Sequence, residues 1–68
     1  MTRAQAGICL RALRRAGFSS VAVLPRSIGD YAVAVWIAGR YVHYMEPSAV
    51  RELMVSEITR RNVNGPRP

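Results

Sequence analysis

Residues 30–46, DYAVAVWIAGRYVHYME, constrain the fold more than any other stretch of the chain. From Tyr31 to Ala38 every residue is β-branched, aromatic or alanine, and Gly39-Arg40 follows where a two-residue hairpin wants glycine first. The pattern predicts a β-hairpin turning on Gly39 and Arg40. Antiparallel pairing about that turn sets Ala38 opposite Tyr41, Ile37 opposite Val42, Trp36 opposite His43, Val35 opposite Tyr44 and Ala34 opposite Met45. Because side chains alternate along a strand, one face collects Val33, Val35, Ile37, Val42 and Tyr44. The other collects Ala34, Trp36, Ala38, Tyr41, His43 and Met45. Both faces are largely apolar, so each needs a cover.

The flanking segments supply one cover. Thr2 to Ala16 reads as an amphipathic helix with Thr2 as N-cap and Gly17 in the left-handed position that ends helices. At about 100° per residue, Ala6, Cys9, Ala12, Leu13 and Ala16 gather on one side, with Ile8 and Leu10 at its margins; Arg3, Arg11, Arg14 and Arg15 gather opposite. Gly7 within it costs about 1 kcal/mol relative to alanine, which either moves the start toward Ile8 or marks a close packing contact. Phe18 then tucks under the helix end. Ser20 to Leu24 reads as a short strand stopped by Pro25, and Pro25 to Asp30 as a loop carrying Arg26. Glu46-Pro47-Ser48 opens a second helix running to about Arg61, with Val50, Leu53, Met54 and Ile58 as its apolar stripe. Residues 62–68 have the composition of a flexible tail. The expected architecture is therefore α+β: one domain over residues 1–61, ordered α-β-β-β-α, with a three-stranded antiparallel sheet and both helices on one face.

Two short helices cover one face only. The purer aliphatic content of the Val33, Val35, Ile37, Val42, Tyr44 face assigns it to the helices, leaving Trp36, Tyr41, His43 and Met45 as an exposed aromatic and apolar patch suited to contact with a partner. The opposite assignment makes Trp36 the core tryptophan beneath the helices. At 68 residues and 7.5 kDa the core is of marginal size, and Cys9, the only cysteine, allows no internal disulfide. Oligomerisation or a partner is the remaining support, and a homodimer through this patch is expected. Cys9 itself falls on the apolar side of its helix and reads as a buried thiol in a reducing, cytoplasmic setting. No apolar run reaches the length of a membrane span, and no signal-peptide pattern opens the chain.

The formal charge is +6, from ten arginines, four acids and no lysine. Five of the arginines and none of the acids fall before Asp30. Such asymmetry points to an acidic partner, either nucleic acid or an acidic protein surface, with Arg3, Arg11, Arg14, Arg15, Arg26 and Arg40 as the contact set. A solvated helix face is the plain alternative. No glycine loop for phosphate, no paired carboxylates, no metal-ligand spacing and no nucleophile-histidine arrangement is present, so no catalytic residue, metal, cofactor or small-molecule substrate is expected. His43, the single histidine, reads as a packing or surface residue.

The element order, with LRALRRAGF leading into the first strand, resembles the small double-stranded-RNA-binding-like fold of HicA-type messenger-RNA interferase toxins. That family carries its active histidine in a glycine-serine-histidine segment at the second strand, whereas the corresponding residues here, Ile28-Gly29-Asp30-Tyr31, contain none. The resemblance implies a fold without the activity. Taken together, the expectation is a small basic non-enzymatic protein of phage or mobile-element accessory type that occupies nucleic acid. The alternative is a protein-binding inhibitor of a host defence or regulatory complex, anti-CRISPR-like in role, and third comes a HicA-like ribonuclease fold lacking its usual histidine.

Overall fold

A computed structural model describes the backbone of residues 1–64 and the side chains of residues 1–60. The elements are α1 (Arg3–Arg15), β1 (Val21–Ser27), β2 (Asp30–Ile37), β3 (Arg40–Tyr44) and α2 (Pro47–Asn64), with the strands in the order β1-β2-β3 and both pairings antiparallel. This is the expected α-β-β-β-α domain with a meander sheet.

Local chemistry closes both ends of α1. The Thr2 hydroxyl accepts from the Gln5 N–H at 3.1 Å while the Gln5 side-chain oxygen accepts from the Thr2 N–H at 2.9 Å, a reciprocal capping box. At the other end Gly17 adopts φ 103°, letting the Phe18 N–H reach the Leu13 carbonyl at 3.0 Å and the Gly17 N–H the Arg14 carbonyl at 3.1 Å. Neither reading of Gly7 holds, however. The helix starts at Arg3, well before Ile8, and a side chain at Gly7 would meet only the Arg11 guanidinium, at an ordinary 3.7 Å.

The hairpin register differs from expectation by two residues. Its turn is Ala38-Gly39, and the pairs are Ile37 with Arg40, Trp36 with Tyr41, Val35 with Val42, Ala34 with His43 and Val33 with Tyr44. Both turn residues have positive φ, 51° and 83°, as the tightest hairpin turn matching strand twist requires. Alanine pays about 1–2 kcal/mol for that conformation. In return Trp36 and Tyr41 pack edge to face with ring centroids 5.0 Å apart, a contact worth about 0.5–1.5 kcal/mol, and Val35 opposes Val42. A slip of two residues preserves the alternation, so the membership of each face is unchanged.

β1 also runs further than expected, through Pro25 to Ser27. Pro25 is tolerated because β1 is an edge strand. The register shifts between Pro25 and Ser27, leaving Arg26 as the extra residue of a bulge, and what reads as a six-residue loop is a two-residue turn, Ile28-Gly29, with Gly29 at φ 74°. α2 continues past Arg61 to Asn64, one residue short of Gly65-Pro66, the first helix breaker in that part of the sequence. The remainder of the expected tail, residues 65–68, lies outside the described residues.

The core joins Ala6, Cys9 and Leu13 of α1 to Val33 and Val35 of β2 and Val50 of α2, with Phe18, Ile37, Tyr44, Leu53 and Met54 packed around them. Both helices therefore cover the Val33–Val35 face, and Trp36 is not the core tryptophan. Ile58, expected in the α2 stripe, is exposed, as is Val55: beyond Met54 the helix has left the core. The Met1 ammonium fastens the start of the chain to the sheet, donating to Asp30 Oδ1 at 2.9 Å, the Tyr31 carbonyl at 3.0 Å and the Met45 carbonyl at 3.1 Å.

Candidate functional site

The expected contact residues fall into two surfaces on opposite sides of the sheet. On the helix side, burial of Ala6, Cys9 and Leu13 turns Arg3, Arg11, Arg14 and Arg15 outward, and all four are exposed. Arg11 neighbours both Arg14 and Arg15 at helical spacing, and the strip from Arg3 to Arg15 extends about 18 Å along the axis. Among the described residues none of the four pairs with a carboxylate. The capped helix thus presents four guanidinium groups with their donors free for an anion. Arg26 and Arg40 are exposed as well, and they sit at opposite ends of the sheet, one at the bulge of β1 and one at the start of β3.

On the other side the sheet lies open. Its rows are set by the register: Trp36 beside Tyr41, then Ala22, Ala34 and His43, then Leu24 and Ala32. Trp36 and Tyr41 stand up as a ridge, each 49% exposed, and Met45 follows just beyond the end of β3 at 37%. Behind the ridge the alanines leave a trough of about 290 Å³, lined by Ala22, Leu24, Ala34, Tyr41 and His43. Ala32 and Ala34 are nonetheless buried, at 1% and 2% exposure. These rows contain no arginine, aspartate or glutamate side chain.

A third feature escaped the sequence reading. A cleft of about 170 Å³ lies between the helices, lined among others by Ile8, Cys9, Arg51 and Met54. Helical periodicity places Ile8 only at the margin of its apolar face, and nothing in one helix's pattern says which residues of a second will meet it. Cys9 at the floor of this cleft is a buried thiol, as expected. Burial raises its pKa above the ordinary 9.0, against the lowering influence of Arg51 and the Met1 ammonium, so the thiol stays protonated at neutral pH.

His43 stands at the wall of the trough, with neither a carboxylate nor the thiol beside it among the residues that line it. The described residues contain no group of three histidine, cysteine, aspartate or glutamate side chains positioned to hold a metal ion. Among them, no helix is long and apolar enough to cross a membrane. No family model matches the chain, and no curated protein or solved structure matches it either.

Proposed function

We propose that the protein is a small non-enzymatic nucleic-acid-binding domain, of the accessory kind found in phages and mobile elements and working in the cytoplasm, with α1 as its phosphate-contacting element. The observation that carries this reading is the strip of Arg3, Arg11, Arg14 and Arg15: four exposed guanidinium groups, unpaired with any described carboxylate, on a helix rigidly capped at both ends. Phosphate contacts of this type supply affinity without base selectivity, because they read the backbone charge alone. Binding should weaken steeply with salt. The test is fluorescence anisotropy of labelled duplex DNA, single-stranded DNA and RNA titrated at two salt concentrations. Each of Arg11→Ala, Arg14→Ala and Arg15→Ala should weaken binding uniformly across sequences and reduce the salt slope by about one. Absence of binding at low salt, or affinity untouched by all three substitutions, sinks the reading.

A second reading, inhibition of a host protein complex, is favoured by the Trp36–Tyr41 ridge, since half-exposed aromatic pairs make strong anchors in protein interfaces. It predicts the reverse sensitivity. Binding to such a partner would be lost on Trp36→Ala or Tyr41→Ala and little changed by the α1 substitutions. A ribonuclease of the HicA kind comes third, and it is abandoned if His43→Ala leaves any cleavage unchanged.

A further inference from the structure

We infer that the open sheet face is the interface of a twofold homodimer, in which the Trp36–Tyr41 ridge of each copy seats in the alanine-floored trough of the other. Three observations converge on a second copy as the occupant. The first is charge. A chain of net charge +6 repels itself unless the meeting surfaces are neutral, and the rows of the open face are the uncharged part of this sheet. Packing sheet on sheet keeps the arginines of α1, on the other side of the sheet, away from the partner. Unpaired bases would find aromatic rings on the same face but no cation within its rows to meet their phosphates, and they are the poorer occupant.

The second observation is shape. A twofold interface must be self-complementary, so a projecting group on one part of the surface needs a matching depression on another. Trp36 and Tyr41 project at the hairpin end of the face, and the trough over Ala22 and Ala34 lies one row further along the strands. A twofold axis lying between the sheets and across the strands brings each ridge over the other trough. At about 290 Å³ the trough, of which Tyr41 is itself a wall, has room for one aromatic side chain, and Trp36 is the member of the ridge that enters it.

The third is size. Three strands about 4.8 Å apart and three rows about 7 Å apart give a face of about 14 by 20 Å, roughly 280 Å² in projection per copy. A patch of that size falls in the small, weak class of interfaces, which makes the dimer a reversible one. It also provides the second cover that a sheet apolar on both faces requires. The inference stands apart from nucleic-acid binding, because the mass of the chain is measured on the protein alone.

The test is sedimentation equilibrium of the full chain from about 1 μM to about 1 mM, a range that reaches weak association. The wild-type mass should climb from 7.5 kDa toward twice that value. Trp36→Arg buries a charge in the interface and should weaken association at least about 100-fold. His43→Arg, at an exposed position of the trough wall, should do the same and keeps the test decisive if Trp36→Arg fails to fold; circular dichroism establishes which variants fold. A wild-type monomer at about 1 mM overturns the inference. So does a dimer that survives both substitutions but dissociates with Ile58→Arg on the overhanging half of α2. Monomeric protein whose Trp36 emission is quenched by a single-stranded oligonucleotide overturns it in favour of base stacking.

Discussion

On the helix side of β2, Val33 and Val35 are shut away beneath Ala6, Cys9, Leu13 and Val50; on the open side of the same strand, Ala32 and Ala34 are just as inaccessible with no layer above them. The helix side excludes water by stacking one layer on another. The open side does so only for its smallest residues, set between two flanking strands, and leaves Trp36 and Tyr41 half in water. Equal burial therefore has two origins with different consequences. Apolar area on the helix side is already removed from water in the monomer and contributes to folding, whereas the aromatic area opposite is still available to contribute to association. Buried packing and exposed aromatic area are thereby divided between alternate residues of one strand.

The largest effect should come from substitutions that test this division directly. Leu13→Ala, at a fully buried position, should lower unfolding free energy by about 3 kcal/mol, whereas Trp36→Ala, despite removing more atoms, should cost under about 1 kcal/mol when both are measured by urea denaturation at a concentration where the chain is monomeric. Equal losses would mean that the open face carries the core after all.

A smaller effect of opposite sign sharpens the comparison through the hairpin that links the two faces. Ala38 holds φ 51°, a conformation asparagine tolerates far better, and Asn-Gly is the preferred pair for this turn. Ala38→Asn should stabilise the protein by about 1 kcal/mol. A loss of stability would show that the turn does not sit at Ala38-Gly39.

The smallest effect concerns the fastening of the helix layer to the sheet. The hydrogen bond from the Met1 ammonium holds the Asp30 carboxyl below its ordinary 3.8, helped by the positive charges of the ammonium and Arg26 and by the Tyr31 N–H. A depressed carboxylate stabilises the fold above its unfolded pKa and loses that contribution as pH falls through the folded value. The urea midpoint of the wild type should therefore decline below about pH 4, and more steeply than that of Asp30→Asn. Parallel acid limbs would remove this pair from the account of how the chain's start is held.

Much of this architecture is legible in the sequence because it rests on local chemistry. Thr2 and Gln5 at capping-box spacing, Gly17 after the last arginine of α1, and Pro47 at the first turn of α2 each act within a few residues. The faces of β2 and β3 were legible for another reason: strand alternation has period two, so even a hairpin register wrong by two residues sorts Val33, Val35 and Val42 from Trp36, Tyr41 and His43. The extent of β1 was not. Pro25 reads as a strand end unless one knows that β1 lies at the edge of the sheet, where the missing N–H costs little.

Among the candidate residues the same boundary applies. That Arg3, Arg11, Arg14 and Arg15 share a helix face follows from their spacing, and that Trp36 shares a sheet face with Tyr41 and His43 follows from alternation. That the two sets lie on opposite sides of the molecule depends on which sheet face the helices cover. The purer aliphatic content of the Val33–Val35 face points to that choice in the sequence, and packing fixes it, with Ala6, Cys9, Leu13 and Val50 closed over Val33 and Val35. Sequence alone determined the elements and the membership of each face, because those follow from interactions a few residues apart. Only tertiary packing decided the turn register, the edge position of β1 and the separation of the basic helix from the aromatic face, because each depends on groups far apart in the chain competing for the same space.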